Sequence, residues 1–185
     1  MPNLFYSSFP STFDTFTLVW KETNSEAQLQ RIFLSDPEMN SEIKALKSFQ
    51  QIELGSSSPI NILGEMIQRF FKGEKVKFTL EQLDFIKCSD IQKKVFLAEY
   101  GIPRGWVSTY KRIAESIGIS NGARVVGNAL AKNPFPIFIP CHRAIKSNGE
   151  LGGFQGGIKM KRTLLEMEGI EFSDKGKVIT DKIFY

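Results

Sequence analysis

The chain has 185 residues, enough for one ordinary domain or two small ones, and its hydrophobic fraction of 42% is typical of globular proteins. No stretch approaches the ~20 continuous apolar residues of a membrane span, and the N-terminus lacks the basic-then-apolar order of a secretory signal. Cys88, Cys141 and the single histidine, His142, are too few for a disulfide framework or a structural zinc site. We expect a soluble protein of a reducing compartment, cytoplasmic or, in a eukaryote, nuclear; one disulfide between the two cysteines stays open.

The positive charge is concentrated in one part of the chain. The formal net charge is +4, but residues 101–170 hold ten Lys or Arg and four Asp or Glu, a net +6, so the remainder nets −2. This asymmetry indicates a polyanion partner for that part, with salt-dependent affinity. A solvated lysine-rich surface explains the same charge about as well.

The first part of the chain predicts strands followed by helices. Apolar residues alternate with polar ones in two segments that predict an antiparallel pair: Phe16, Leu18 and Trp20, then Ile32 and Leu34. Residues 41–52 and 61–72 have helical spacing, the second with an apolar stripe of Ile62, Met66, Phe70 and Phe71. Residues 72–85 predict a linker with a short extended piece. We assign 1–86 to a supporting domain.

A second domain is predicted to begin at residue 87. Ser89 or Asp90 caps a helix that Gly101 and Pro103 end. We assign 87–170 to this domain and 171–185 to a C-terminal tail, either a turn and strand or a loosely docked segment.

Two short helices joined by a turn predict a helix-turn-helix. The first is capped by Ser108 and ends at Gly118, with a buried face of Tyr110, Ile113, Ala114 and Ile117. The second has Ala123, Val126 and Leu130 inward and Asn121, Arg124, Asn128 and Ala131 outward. Small residues such as Gly127 beside one long cation fit a helix that approaches a groove closely. An ordinary helical hairpin is the alternative.

Residues 133–143, NPFPIFIPCHR, carry the chemistry. An apolar strand over 135–139, flanked by prolines, is predicted to deliver Cys141 at its end. A thiol near pKa ~8.5 needs a base or cation to react, and His142 and Arg143 are adjacent. Glu168, at the end of a helix that Gly169 closes, is a carboxylate that can orient His142. A structural Cys-His pair and a surface glutamate remain the alternatives.

A glycine-rich segment precedes that last helix. Asn148-Gly149 signals a turn, and four glycines lie within the six residues 152–157. Flexible backbone here can fold over a flat ligand. Ile158 stands where a phosphate loop has lysine, so this is not such a loop.

These motifs together resemble the O6-alkylguanine-DNA alkyltransferase family, also called methylated-DNA-protein-cysteine methyltransferases. The similarity runs from Ile102 to Gly169 through STY, ARVVG, NPFPIFIPCHR, GGFQGG and LLEMEG, and includes the signature Pro-Cys-His-Arg at 140–143. The resemblance implies an α/β protein, with an N-terminal RNase H-like sheet-and-helix domain and a mostly helical, winged-helix-like C-terminal domain containing the helix-turn-helix.

The resemblance also implies direct-reversal DNA repair. The family flips the damaged nucleotide from duplex DNA and moves an alkyl group from guanine O6, or thymine O4, to its own cysteine, once per molecule. Cys141 is then the acceptor, His142 takes its proton through a water, and Glu168 holds the imidazole. Tyr110 protonates guanine N3 and Asn133 fixes the cysteine geometry. No metal or organic cofactor is needed.

The remaining implied contacts are to DNA and to the flipped base. Arg124 fills the gap left by the base, and its helix lies in the minor groove of the DNA. The protein is implied to bind this DNA as a monomer. The other implied DNA contacts are Lys111, Gly122, Ala123, Val125, Gly127 and Ser147, and the implied pocket residues are Leu130, Pro136, Ala144, Phe154 and Gln155. Phe154 and Gln155 stand where many members have Tyr and Ser, which leaves the alkyl-size preference open.

Three other functions compete with this hypothesis. One is a non-enzymatic lesion sensor without transfer, which Cys141 argues against. Another is a helix-turn-helix regulator that senses alkylation or redox state through Cys141. The third is a cysteine hydrolase, which requires turnover and has no use for the Arg124 helix.

Overall fold

The computed structural model describes residues 4–23 and 26–185 and has two compact units, Met1–Lys87 and Cys88–Tyr185. Residues 171–185 group with the second unit. The division into domains at 86/87 and 170/171 stays a prediction. Among the described residues, no helix is both long and apolar enough to cross a membrane.

A four-stranded sheet forms the centre of the first unit. Strands β1 (Leu4–Ser11), β2 (Asp14–Thr23) and β3 (Glu26–Leu34) are antiparallel neighbours, and β4 (Glu53–Leu54) pairs parallel to β1, giving the order β3-β2-β1-β4. Leu18 pairs with Ile32 and Phe16 with Leu34, which confirms the predicted pair of strands. Strand β1 was not predicted from the sequence.

Two helices cover this sheet. Helix α1 (Ser41–Ser48) begins at an Asn40 cap, and α2 (Ser58–Phe71) begins at a Ser57 cap. The predicted stripe on α2 is wrong at Ile62, which is 54% exposed. The helix begins at Ser58, and the spacing of three and four residues places Ile60, Leu63 and Ile67 on its buried face, which continues to Phe70 and Phe71. Residues 72–85 form no regular element except a bridge from Leu83 to Leu29.

The second unit is mostly helical. Helix α3 (Asp90–Tyr100) begins with a capping box between Ser89 and Gln92. Strand β5 (Ser108–Thr109) leads into α4 (Tyr110–Ser116), and α5 (Ala123–Ala131) follows. A short 3-10 turn, Cys141–Arg143, then leads to β6 (Ala144–Ile145), which pairs parallel to β5. Helix α6 spans Gly157–Met167, and β7 (Glu171–Phe172) and β8 (Val178–Ile179) form a hairpin.

The predicted cap of α4 is corrected by one residue. Thr109 caps the helix by accepting from the Arg112 N–H, whereas Ser108 lies in β5 and its hydroxyl donates to Phe184 O at 2.7 Å. The strand pairing with β6 extends the chain up to Thr109, so the helix begins after it. The contact with Phe184 also shows that the last residues pack against this unit, as does the bridge between Val107 and Ile183.

Candidate functional site

The segment before Cys141 is a tight turn, so the predicted strand over 135–139 is wrong. The Ile139 N–H donates to Phe135 O at 2.9 Å, and Pro136 forms only an isolated bridge with Ile139. Prolines remove N–H donors at 134, 136 and 140, so this stretch has too few donors for a regular ladder. Ile137 has φ +79°, an unfavourable conformation for a β-branched residue, and its burial at 2% exposure holds it there.

Asn133 ties this turn to Cys141. Its side-chain amide donates to Ile139 O at 3.1 Å, and its oxygen accepts from the Phe135 N–H at 2.9 Å. It also hydrogen-bonds the Cys141 thiol, which is 7% exposed. Burial raises the pKa of Cys141 to about 11, and the Asn133 hydrogen bond opposes this rise. The resting thiol is therefore protonated, and a reaction at sulfur needs a group to receive the proton.

His142 and Glu168 lie together as predicted, and the surface alternative for Glu168 is wrong because its side chain is 1% exposed. The His142 Nε2 lies 3.0 Å from Glu168 Oε1. Arg143 donates to both carboxylate oxygens, at 2.8 and 2.9 Å, and to Ile102 O at 2.6 Å. Burial lowers the pKa of His142 and Glu168 opposes this, so the neutral imidazole is available as a base near pH 7.

Two neighbouring side chains, His142 and Arg143, keep Glu168 ionised. Burial by itself raises the pKa of this carboxyl, but hydrogen bonds and charges from His142 and Arg143 outweigh it and hold the pKa well below its usual range. The Gly105 N–H also donates to Oε2 at 3.3 Å. Glu168 thus accepts hydrogen bonds from three residues on two segments and fixes the His142 ring, leaving Nδ1 as the ring nitrogen that does not face the carboxylate.

Tyr110 lies at the start of α4 against the glycine-rich loop. A Cβ built on Gly152, whose φ is +72°, comes within 2.6 Å of the Tyr110 hydroxyl oxygen, so only glycine permits this approach. Burial raises the pKa of Tyr110 to about 12, and the charges of Glu99 and Cys141 add to the rise. The phenol therefore keeps its proton at neutral pH and can act as a hydrogen-bond donor or acid.

Sequence reasoning missed two fully buried charged residues, Glu99 on α3 and Lys161 on α6. Lys161 Nζ donates to Ala144 O at 2.7 Å and to Gly153 O at 3.3 Å, and lies 5.9 Å from the centroid of the Tyr110 ring. A signal was present: each charge occupies a position in the apolar stripe of its helix, next to Phe96 or Leu164.

The predicted pocket residues divide by burial. Leu130, Pro136 and Ala144 are buried, and Phe154 and Gln155 are half-buried. The Phe154 ring lies edge-on to His142 with centroids 6.2 Å apart. Phe154 thus borders the imidazole of the candidate active site.

The predicted DNA-contact residues lie mainly on α5 and its flanks. Arg124 and Val125 are exposed, as are Lys111 on α4 and Ser147 in the turn after β6, whereas Ala123 and Gly127 are half-buried and Gly122 is buried. Gly122 ends the turn, where a Cβ would come within 2.5 Å of Ile119. At Gly127, by contrast, no atom of the described residues lies within 4 Å of a built Cβ. Internal packing therefore does not require that glycine.

The second unit matches a known family. The profile described as "6-O-methylguanine DNA methyltransferase, DNA binding domain" matches residues 90–170. A methylated-DNA–protein-cysteine methyltransferase of Methanothermobacter thermautotrophicus is 43% identical over 127 residues, which cover 68% of this chain and 71% of that protein. One from Pyrobaculum aerophilum is 45% identical over 95 residues, covering 51% and 62%.

Solved structures are similar to this protein over most of its chain. Mycobacterium tuberculosis OGT in complex with DNA is 30% identical with a TM-score of 0.70, covering 89% of this chain and 92% of that one. The O6-methylguanine-DNA methyltransferase of Pyrococcus kodakaraensis, 24% identical with a TM-score of 0.64 over 90% of this chain and 99% of that one, supports the mixed α/β fold alone. Because the Methanothermobacter thermautotrophicus relative is 43% identical over 68% of this chain, the chain belongs to the methylated-DNA–protein-cysteine methyltransferase family.

Proposed function

We propose that this protein repairs alkylated DNA by moving an alkyl group from guanine O6 to its own Cys141. The observation that carries the proposal is the buried thiol followed by a neutral imidazole that an ionised carboxylate fixes. Nothing in that arrangement is suited to cleave the thioether product. The reaction therefore happens once per molecule. Thymine O4 is a second alkyl source for which the same chemistry is proposed.

The proposed chemistry is a displacement at the alkyl carbon. The Cys141 proton passes through a bridging water to His142 Nδ1, while Glu168 stabilises the imidazolium that forms. The sulfur bonds to the alkyl carbon as its bond to guanine O6 breaks, and the electron pair moves into the purine. Tyr110 donates its proton toward N3, which neutralises the leaving base. Asn133 holds the sulfur in line with the alkyl carbon.

The proposed substrate is double-stranded DNA read from the minor groove by a monomer. The exposed Arg124 is long enough to enter the stack in place of the flipped base, and the small Gly127 lets the groove walls approach α5. Backbone groups of Cys141, Ala144 and Gln155 are proposed to hold the base edges, with Leu130 and Pro136 against the alkyl group. We also propose that the N-terminal domain is RNase H-like and that the C-terminal domain is winged-helix-like.

Intact-protein mass measures this function directly. After incubation with duplex DNA containing O6-methylguanine, we expect the wild-type protein to gain one methyl group per chain and Cys141→Ala to gain none. Cys88→Ala is the matched control, because Cys88 is the half-exposed second thiol, and it must still gain the methyl group.

Other outcomes identify the competing functions. Retained binding of the damaged duplex without a mass change contradicts transfer and favours a lesion sensor. Release of modified product over many turnovers contradicts a once-only reaction and favours a hydrolase.

A further inference from the structure

A second buried charged cluster lies beside the candidate active site. Glu99 continues the buried stripe of Val95 and Phe96 on α3, and its side chain is fully buried. Among the described residues, neither Glu99 oxygen has a hydrogen-bond partner. An isolated carboxylate in such a place costs free energy, and an apolar residue would pack there more cheaply. Ordinary helix packing therefore does not account for Glu99.

Lys161 is a fully buried cation whose charge acts on this carboxyl. Its ammonium joins two segments of the site, because it donates to Ala144 O just after the Cys141 turn and to Gly153 O in the glycine-rich loop. The charges of Glu99 and Lys161 attract each other, and both act on Cys141 with opposite sign. Four separate elements thus bring one acid, one base, one phenol and one thiol into a single buried cluster.

Charged and titratable groups on several elements influence Glu99 and Lys161. Lys161 and Arg143 favour the ionised form of Glu99, and Cys141, Tyr110 and Tyr185 respond to its charge. The remaining charged residues on the helices α4 and α5 that pack against α3 are exposed, where water screens them: Lys111, Arg112, Glu115 and Arg124. Burial raises the pKa of Glu99 to about 8 and lowers that of Lys161 to about 8.

We propose that Glu99 is a positioning residue for alkyl transfer, whose carboxyl group controls the charge that Lys161 presents to the Cys141 sulfur. This inference rests on the proposed function. With Glu99 protonated, the Lys161 ammonium stabilises the thiolate that forms during transfer. With Glu99 ionised, its negative charge cancels that stabilisation and makes the thiolate harder to form.

The test compares wild type with Glu99→Gln, using free O6-benzylguanine as substrate and intact mass to follow the rate from pH about 6.5 to about 9.5. Near pH 6.5 the two rates should agree within about twofold, because the side chain at position 99 is then uncharged in both proteins. Near pH 9.5, above the pKa of about 8 of both groups, Lys161 is largely neutral and the Glu99 charge acts alone on the sulfur in wild type. Glu99→Gln lacks this charge and should be faster by about threefold to tenfold, since a pKa difference of one unit is tenfold in thiolate. Tyr110, with a pKa near 12, keeps its proton throughout.

Three further variants keep the result interpretable. Glu99→Asp restores the charge and should follow the wild-type pH profile, whereas Glu99→Leu, a second neutral variant suited to an apolar stripe, should follow Glu99→Gln. Glu166→Gln removes an exposed carboxylate paired with Arg162 on the same helix as Lys161, and should leave the profile unchanged. Thermal unfolding at both ends of the pH range checks that each variant is folded.

The failures of the two proposals are distinguishable. If wild type transfers the benzyl group to Cys141 but the Glu99→Gln profile is superimposable on it, or offset equally at every pH, Glu99 is only structural. If wild-type Cys141 gains no benzyl group, the proposed function itself is wrong.

Discussion

Glu168 is the residue on which most of the site's geometry depends. It receives hydrogen bonds from the His142 ring, the Arg143 guanidinium and the Gly105 N–H, and its side chain is almost completely buried. Removing one partner of a buried ion pair leaves the other charge uncompensated, which costs about 3–5 kcal/mol. A single side chain therefore links the stability of this unit to the orientation of its proposed base.

We expect Glu168→Gln to lower the free energy of unfolding at pH 7 by about 3 kcal/mol, because Arg143 loses its counter-charge. The folded-state pKa of Glu168 lies below the ordinary value of 4.5, so its ionised form stabilises the fold above pH 4.5 and this contribution is lost as the pH falls further. The difference between the variant and wild type should therefore shrink below pH 4.5. Urea unfolding across this range measures it.

The exposed Glu166, paired with Arg162, provides the control for that measurement. Glu166→Gln should change the unfolding free energy by less than about 1 kcal/mol at any pH, as is usual for a surface pair. A Glu168→Gln penalty that stayed constant from pH 7 into the acid range would show that lost packing, not lost charge, causes it.

Two adjacent glycines, Gly152 and Gly153, differ in their surroundings: only Gly152 lies against the Tyr110 hydroxyl. In Gly152→Ala the new methyl meets the Tyr110 hydroxyl, and the φ of +72° adds strain, so we expect transfer from free O6-benzylguanine to slow by at least about tenfold. Gly153→Ala is the control, since no described atom lies within 4 Å of its Cβ. Equal rates for the two variants would argue against Tyr110 as the proton donor.

At the scale of elements, α5 presents small residues outward where an amphipathic helix usually presents long polar ones. Gly127 lies in the middle of Ala123–Ala131, where glycine lowers helix stability by roughly 1 kcal/mol relative to alanine. Nothing described in the structure occupies the space beside it. The lost stability is explained if a surface from outside, the DNA groove, approaches the helix there.

Gly127→Ala should therefore stabilise the protein and impair repair of duplex DNA at the same time. We expect the unfolding free energy to rise by about 0.5–1 kcal/mol from helix propensity, and the affinity for damaged duplex to fall by several-fold or more. The rate with free O6-benzylguanine should stay the same, because Gly127 borders open space and not the proposed alkyl pocket. A more stable variant with unchanged duplex affinity would place the groove elsewhere on the molecule.

At the scale of the whole molecule, charge separates the two units. The net +6 of residues 101–170 lies within the second unit and the rest of the chain is net negative. DNA affinity should thus come mainly from phosphate contacts of the second unit, and raising the salt concentration should weaken it as counterions compete.

We expect duplex affinity to fall about tenfold to a hundredfold between about 50 mM and 200 mM salt, as for roughly two to four phosphate contacts. Fluorescence anisotropy with labelled duplex measures this, and the rate with free O6-benzylguanine at the same salt concentrations is the control, because that reaction has no phosphates to screen. A salt-independent affinity would contradict an electrostatic interface.

The sequence by itself determined the family, the two predicted strands that pair and most of the helices, and it singled out Cys141, His142 and Glu168 as candidate site residues. These inferences depend on short motifs and on local periodicity and capping. Only the tertiary structure decided that 135–139 is a turn, that Ile137 has a positive φ, and that Glu99 and Lys161 share a buried cluster with the thiol. The physical reason is how far apart along the chain the interacting residues lie. A stripe or a cap involves neighbours along one helix, whereas the charge at Cys141 depends on residues from four elements that meet only after folding.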